Sequence, residues 1–438
     1  MAIDFVIRNA RMAGLTEPTD IAFDTGRIAA IAPRFVCDAP HHDAGGRFAC
    51  AGLIETHIHL DKAGIISRCN LCTGTLAEAI SETSRAKAAF TEEDVYVRAA
   101  AVVEKAILNG TTRLRTFVEI DPRVGFRSFE AIKHLKADYI SLIDIEICAF
   151  AQEGLTNDPG TEAMLEQALK AGADLVGGCP YTDPEPAEHI RCIFDLAMRN
   201  DVAVDFHLDF DLDPAGSNLP VVIAETVARR YQGRVSVGHV TKLSALPPEE
   251  LEPIGRRLAE AGIALTVLPS TDLFLTGRNA THLVPRGVTP AHRLAALGVV
   301  TTISTNNVLN PFTPFGDVNL LRMANLYANV AQIGTADGLD GVFAMITTQA
   351  ATLLGRKGYD IAIGSAADIV LFDAPSAADA VATIAPASAG WKNGRRSFLR
   401  PRPQLFLALQ LHIYLWSESM GLHDSEVMDD RCINRDYA

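Results

Sequence analysis

Apolar runs of strand length alternate with helical patterns through the middle of the chain. The helical patterns are illustrated by residues 92–108 and 247–261. Eight apolar runs are present, at residues 48–59, 111–120, 138–152, 173–181, 202–209, 234–241, 263–271 and 299–307. Eight strand–helix units within about 300 residues favour a (β/α)8 barrel of the TIM type over a doubly wound sheet.

Short alternating strands separated by turns occur instead towards both ends of the chain. They are found at residues 5–10, 21–24 and 27–31, and the pattern returns at residues 364–373. Two distant strand-rich segments around a long α/β region predict one small domain, similar to a β-sandwich, that both ends build together.

The predicted boundaries follow from these patterns. The small domain comprises residues 1–50 and 358–400, and the barrel comprises residues 51–357. Residues 401–438 form a tail of uncertain structure, with an apolar part at residues 405–416 before a polar and acidic end. The apolar part is too short to span a bilayer; it fits a helix that packs on the barrel or on a second subunit, and it also fits a disordered extension. We expect a homo-oligomer.

Composition limits the classes of binding partner and the cellular compartment that we expect for this chain. The chain has 438 residues, of which 48% are hydrophobic, and a net charge of −14, which opposes binding to nucleic acid or to an anionic membrane. The first residues lack the basic and apolar pattern of a secretion signal, so we expect none, and we find no apolar segment of the roughly 18–20 residues that a bilayer requires. The cysteines are scattered, and the one CxxC pair, Cys69 and Cys72, has no second pair for a zinc knuckle. We expect a cytoplasmic protein without disulfides.

Polar residues cluster at the carboxyl ends of the predicted strands, where the active sites of such barrels lie. The first run ends in His57 and His59, the second near Arg115, Thr116 and Glu119, the third in Gln152 and Glu153, the fifth in His207 and Asp209, the sixth in His239, the seventh in Ser270, Thr271 and Asp272, and the eighth in Asn306 and Asn307. Any one of these residues can simply cap a strand, but four histidines on three strands indicate a site.

His57 and His59 are one residue apart, so on a strand both side chains point to the same face. Their imidazoles can therefore reach a single metal ion. Imidazole nitrogen suits zinc, iron and similar ions, and a metal with an open position lowers the pKa of bound water to about 7. We expect one divalent ion, with zinc ahead of iron or manganese.

Together these motifs resemble the amidohydrolase superfamily, and within it the cytosine deaminases and the N-isopropylammelide amidohydrolases. The resemblance spans residues 4–398, and it is carried by the HxH pair, residues 149–154, His207, residues 237–239, residues 273–278 and residues 306–312. It implies that His57, His59 and His207 bind the metal and that Asn306 occupies the position of a fourth, acidic ligand. It also implies that His239 contacts the attacking water and that Gln152, Phe210, Arg278 and Asn307 line the substrate pocket.

Several positions depart from the family pattern. Cytosine deaminases carry a proton-shuttling Glu where this chain has Phe210, and the acid of the last strand is replaced by Asn306, followed by Asn307. Lys62, three residues after the HxH motif, matches the N-isopropylammelide enzymes, which also use a polar residue at the position of Asp209.

The leaving amine needs a proton from a general acid. Asp209 is the first candidate, because burial beside an aromatic ring raises the pKa of a carboxyl group. Lys62 is the second candidate, and it can form a relay with Asp209 or simply pair with it. An amide such as Asn306 binds zinc more weakly than a carboxylate and cannot accept a proton.

Two functions fit these residues. The first is a metal-dependent hydrolase that cleaves a C–N bond in a small N-heterocycle, similar to cytosine, isoguanine, creatinine or a triazine, by deamination or by amide or amidine hydrolysis. The second is a degenerate relative that binds a heterocycle without turnover, which the changes at Phe210, Asn306 and Asn307 favour. The unrelated deaminase fold of nucleic-acid editors is excluded, because neither H-x-E nor P-C-x-x-C occurs.

Overall fold

The computed structural model describes residues 3–401 and 403–404, and the part up to Arg400 forms one compact unit. Its strands are β1 Phe5–Ala10, β2 Thr19–Asp24, β3 Arg27–Ala32, β4 His41–Asp43, β5 Phe48–Ala51, β6 Leu53–Ile58, β7 Thr111–Glu119, β8 Asp144–Ala151, β9 Leu175–Gly178, β10 Ala203–Leu208, β11 Val235–His239, β12 Ile263–Val267, β13 Thr301–Ile303, β14 Ile369–Phe372, β15 Ala387–Lys392 and β16 Arg395–Leu399. Its α-helices are α1 Leu76–Lys87, α2 Glu92–Leu108, α3 Arg127–Asp138, α4 Thr161–Lys170, α5 Pro186–Asn200, α6 Leu219–Ala228, α7 Pro248–Glu260, α8 Pro269–Leu275, α9 Ala291–Ala296, α10 Leu320–Ala331, α11 Ala336–Ala344, α12 Thr348–Leu353 and α13 Ala377–Thr383.

Strands β6 to β13 form the barrel, each parallel to the next in chain order. The first and last strands meet through a parallel bridge between Ile58 and Asn306. The amide of His59 donates to the carbonyl of Asn306 over 2.9 Å, and the amide of Asn306 donates to the carbonyl of His57 over 2.9 Å. Each barrel strand lies inside one of the eight predicted runs, and the (β/α)8 fold is confirmed.

Glu55 strengthens this closure from inside the barrel, where it is fully buried. Its carboxylate accepts hydrogen bonds from the amide of His57 at 3.0 Å, and from the amide and the hydroxyl of Thr305 at 3.0 and 2.7 Å. Burial raises the pKa of Glu55 to about 7, although these donors favour the charged form. One side chain therefore ties the first strand to the residues that follow the last.

Every predicted run is longer than the barrel strand inside it, and three of the runs illustrate why. The first run contains two strands in different sheets, β5 and β6, joined at Gly52. A Cβ atom on Gly52 would lie 2.2 Å from the Thr112 hydroxyl, so only glycine allows this close approach. The third run becomes a strand only at Asp144, and the seventh ends at Val267 because Pro269 begins a helix. Hydrophobic length alone does not distinguish these cases.

Two four-stranded sheets lie outside the barrel. One has the order β3-β2-β1-β4, and the other has the order β16-β15-β14-β5. Residues from both sheets share one apolar cluster, which includes Ile21, Phe23, Ile369, Leu371 and the fully enclosed ring of Trp391. The sandwich predicted from both chain ends is thus present, with β5 as a strand of its second sheet; the domain boundaries at residues 50, 51, 357 and 358 stay predictions.

Other expectations concern the tail, the membrane and the cysteines. The predictions for residues 405–438 lie outside the described residues. No helix in the described part is long and apolar enough to cross a bilayer. The seven cysteines in that part are free thiols.

We predict that Trp391→Ala destabilises the protein by about 3–5 kcal/mol, because it leaves a cavity where a large ring was buried. Barrel and sandwich belong to one compact unit, so calorimetry should still show one transition, at lower temperature. Leu399→Ala, on an exposed position of β16, is the control and should change stability by less than about 0.5 kcal/mol. Two separated transitions for Trp391→Ala would contradict this expectation.

Candidate metal centre and active site

Three histidines converge at the carboxyl ends of barrel strands. The Nε2 atom of His207, on β10, lies 3.0 Å from Nε2 of His57 and 2.9 Å from Nε2 of His59. His57 is on β6 and His59 follows it, so strand alternation turns both imidazoles to the barrel interior. Each of these three residues offers one ring nitrogen atom, and these three atoms lie within 4.8 Å of one another.

The chemistry of this group fits a divalent metal. All three side chains are buried, and burial lowers the pKa of His57, His59 and His207 well below the usual value. A neutral imidazole offers the lone pair that a metal requires. Nitrogen atoms this close together suit bonds of about 2.0–2.1 Å to a single zinc ion. The three residues predicted as ligands are thus brought together.

His239 lies beside this cluster and is held by an acid. Its Nδ1 atom is 2.6 Å from Oδ1 of Asp272, a fully buried residue of α8. Burial raises the pKa of Asp272, against the effect of His239. A carboxylate at Nδ1 fixes the orientation of the ring and leaves Nε2 free to face the pocket.

Asn306 joins the site next to His239. Its Nδ2 atom donates to the hydroxyl of Thr271 at 3.0 Å and lies 3.5 Å from Nε2 of His239. Its Oδ1 atom is buried and, among the described residues, has no hydrogen-bond partner. An unpaired buried carbonyl oxygen is costly unless another group binds it, so the side chain keeps an oxygen available for a weak fourth contact.

Lys62 is buried and points its ammonium group at an acid and an amide. Its Nζ atom is 2.6 Å from Oε1 of Glu119, at the end of β7, and 3.0 Å from Oε1 of Gln152. Burial alone would raise the pKa of Glu119, but the ammonium groups of Lys62 and Lys87 keep it well below the usual value. The expected pairing of Lys62 with Asp209 is wrong, because Glu119 and Gln152 are its partners.

Asp209 points elsewhere. Its carboxylate accepts hydrogen bonds from the Ser217 hydroxyl at 2.5 Å and from the Asn218 amide at 2.9 Å, just before α6. The strand ends at Leu208, and Asp209 has a left-handed backbone with φ of 52°, so the alternation that would have placed it beside His207 is broken. Burial raises the pKa of Asp209, as expected, but the carboxylate is not among the groups lining the cavity.

Phe210 takes the place in the cavity that Asp209 was expected to have. Its ring meets the ring of His239 edge-on, with 4.6 Å between centroids. The cavity has room for about one water molecule, and its lining comprises His59, Lys62, Leu76, Gln152, Tyr181, His207, Phe210, His239, Thr271, Leu275, Asn306, Asn307 and Phe312. Within the described part of the chain, this lining contains no carboxylate. A heterocycle can enter only if the apolar side chains move apart.

A second cavity of about 470 Å³ adjoins the first and shares Leu76, Phe210 and Leu275 with it. We call this second cavity the vestibule. Arg278, which was expected to touch the substrate, lines the vestibule and donates to the carbonyl of Thr73 over 3.0 Å. Its guanidinium group stacks on Phe274, with 4.6 Å to the ring centroid. Arg278 therefore holds a loop at the entrance.

Sequence reasoning missed several residues of the site. Thr271, Asp272 and Glu119 were recognised as polar residues near strand ends, but the sequence contains no sign of their partners. Leu76 and Tyr181 were not singled out, and Leu275 and Phe312 were named only as members of the segments 273–278 and 306–312. An apolar residue that lines a pocket looks the same in the sequence as one that fills a core.

A histidine cluster at the carboxyl ends of a (β/α)8 barrel defines the class of site. The family model described as "Amidohydrolase family" matches residues 115–398, and the chain belongs to this family. The predicted resemblance is confirmed.

Three similar proteins extend the comparison. N-isopropylammelide isopropyl amidohydrolase of Pseudomonas sp. (strain ADP) is 26% identical over 406 residues, covering 90% of this chain and 96% of its own length. Pterin deaminase of Rhizobium rhizogenes is 27% identical over 393 residues, which cover 85% of this chain and 89% of that protein. The crystal structure of 5-methylcytosine deaminase from Klebsiella pneumoniae with 5-fluorocytosine superposes with a TM-score of 0.88 at 26% identity, covering 92% of this chain and 100% of that one.

We predict that Gly238→Ala weakens metal binding at least about tenfold. The new Cβ atom would lie 2.7 Å from Cε1 and 3.0 Å from Nδ1 of His57, so the ring must shift away from its neighbours. Gly341→Ala is the control, because a Cβ atom there meets nothing within 4 Å. Competition with a chromophoric chelator measures the affinity, and equal affinities for the two variants would refute the placement of His57.

Proposed function

We propose that this protein is a metal-dependent hydrolase that cleaves a C–N bond of a small N-heterocycle. The observation that carries the proposal is the convergence of three Nε2 atoms within 3.0 Å of their neighbours, next to His239 in a shielded cavity. Apart from family membership, this arrangement suits hydrolysis because it brings together metal ligands, an oriented imidazole and an ammonium group.

His57, His59 and His207 would hold the ion, with Oδ1 of Asn306 as a weak fourth contact. Zinc is preferred over iron or manganese, since three imidazoles and an open position are typical of catalytic zinc. When bound, the ion would act as a Lewis acid and lower the pKa of its water, which makes a nucleophile available at neutral pH.

The remaining steps belong to the side chains. His239 takes a proton from the attacking water at Nε2 and returns it to the leaving nitrogen, while Asp272 holds its ring in place. Lys62 and Gln152 orient the heterocycle by hydrogen bonds to its polar edge. Phe210 and Phe312 exclude water from the reacting atoms. The acid role thus passes from Asp209, whose carboxylate binds Ser217 and Asn218 outside the cavity, to His239.

The relatives narrow the substrate to a class. Their names specify an alkylated triazine, a pterin and a methylated cytosine. All three are planar nitrogen heterocycles that carry an exocyclic C–N bond. We assign the same class to this chain, with ammonia or an alkylamine as the other product. We also expect a cytoplasmic homo-oligomer, without a nucleic-acid or membrane partner.

A second candidate function is binding without turnover. Two observations favour it: Asn306 stands where the family has an acid, and the cavity lining in the described residues contains no carboxylate. In this alternative His239 has no role in proton transfer, and the heterocycle would still bind in the cavity that Lys62 and Phe312 line.

Metal content and product release test the proposal together. We expect about one zinc, iron or manganese ion per chain by elemental analysis, and release of ammonia or amine from at least one of cytosine, isoguanine, pterin, creatinine and N-alkylammelides. His57→Ala should lose both the metal and the activity. If the metal-containing protein melts at a higher temperature with a heterocycle but releases no product, the binding alternative is established. A fully active His57→Ala variant would refute the metal centre.

We predict that Asp272→Asn lowers kcat at least about tenfold while the metal content stays the same. Asparagine is nearly isosteric with aspartate, but it does not hold the His239 ring in the tautomer that leaves Nε2 as a proton acceptor. Asp337→Asn, an exposed change on α11, is the matched control. An unchanged kcat in Asp272→Asn would exclude His239 as the proton carrier.

A further inference from the structure

One face of helix α1 leads from the catalytic cavity at its amino-terminal end to a buried lysine at its carboxyl-terminal end. Leu76, Ala79, Ile80, Thr83 and Lys87 follow helical spacing along one face. Leu76 lines the cavity, and Ala79 belongs to an apolar cluster with Phe210, Leu275 and Phe312. The amino-terminal end of this face therefore lines the pocket, and its carboxyl-terminal end is a lysine.

Lys87 is almost completely buried, with 1% of its side chain exposed. Its Nζ atom lies 3.1 Å from Oε2 of Glu119 and 2.6 Å from Oδ2 of Asp121, and it also forms an ion pair with Glu153. A buried ammonium group is unfavourable unless charged partners take up its donors, and here three carboxylates do so. This arrangement is costly to build, yet it lies outside the catalytic cavity.

Glu119 connects this lysine with the pocket. Its Oε1 atom binds the ammonium group of Lys62 at 2.6 Å, and its Oε2 atom binds the ammonium group of Lys87 at 3.1 Å. Lys62 has three N–H donors, of which Glu119 and Gln152 take two. The orientation of the last donor therefore depends on where Glu119 holds the ammonium group.

We propose that Lys87 is a positioning residue for Lys62, so that the helix lining the pocket and the lysine facing the substrate belong to one charge network. The proposal rests on the proposed function for its catalytic consequence, but not for the network itself. With Lys87 present, α1 balances the charge of Asp121 and shares Glu153 with Arg123, and Glu119 is held between two ammonium groups. Without it, Glu119 and Asp121 lose an ammonium partner, whereas Glu153 keeps its ion pair with Arg123. Lys62 is then the ammonium group that remains on Glu119, and it is drawn toward this carboxylate and away from the substrate.

The side-chain ammonium signals of the protein labelled with ¹⁵N at lysine Nζ test the network without any substrate. Lys62→Met identifies the signal of Lys62 by its loss. We expect Lys87→Met to shift that signal, because Glu119 moves, and Arg85→Met to leave it unchanged. Arg85 is the matched control, since it is a cation on the exposed side of the same helix. An unchanged Lys62 signal in Lys87→Met overturns the proposal.

Lys87→Met leaves three carboxylates without their common partner and can fail to fold. Lys87→Met combined with Asp121→Asn removes one of these charges and keeps an oxygen that can accept the backbone amides of Arg123 and Val124. The double variant should fold and should show the same displaced signal of Lys62. A signal at the wild-type position in this folded variant overturns the proposal as well.

Kinetics on a substrate identified by the heterocycle screen then separate positioning from simple destabilisation. Loss of a charge-assisted hydrogen bond to the substrate should raise KM of Lys62→Met about 10–100-fold. Lys87→Met should raise KM in the same direction, and the double variant Lys62→Met/Lys87→Met should be no worse than Lys62→Met alone. If the KM increases of the two single variants multiply in the double variant, the proposal is overturned. A fall in kcat of Lys87→Met at constant KM overturns it as well. If the wild-type protein hydrolyses nothing while the Lys62 signal still shifts, the proposed function fails and the network stands.

Discussion

Closure of the barrel between its first and last strands is the constraint on which the site depends. The bonds that join His57 and His59 to Asn306 make the last strand a neighbour of the first, and Glu55 reinforces them from inside. Closure brings the carboxyl ends of eight strands around one axis, so that His207, from the fifth barrel strand, meets the histidine pair of the first. An open sheet with the same strands would keep these residues apart.

A second set of interactions gives the pocket its chemical character. Acids surround the cavity without entering it: Asp272 holds His239, Glu119 holds Lys62, and Asp209 binds Ser217 and Asn218 just before α6. The groups that face the substrate are thus imidazoles, amides, an ammonium group and aromatic rings. Such a lining suits a planar ring with polar edges, and the acids act by fixing the direction of those groups.

The reach of sequence reasoning is clear from particular residues. Alternation along a strand was sufficient to place His57 and His59 on one face, and the eight apolar runs were sufficient to predict the barrel. The same alternation failed at Asp209, because a single left-handed residue after Leu208 turned its side chain away and brought in Phe210. The run at residues 48–59 was read as one strand, although Gly52 divides it between two sheets.

The sequence by itself determined the periodicity of the elements, the order of the polar residues at the strand ends, and the family. These properties are local along the chain, so they can be read from spacing and residue type. Only the tertiary structure decided which charges are partners, such as Lys62 and Lys87 on Glu119, and which apolar residues cover the pocket. Those contacts join residues far apart in sequence, such as Leu76 and Phe312, and depend on how a helix packs on the closed barrel.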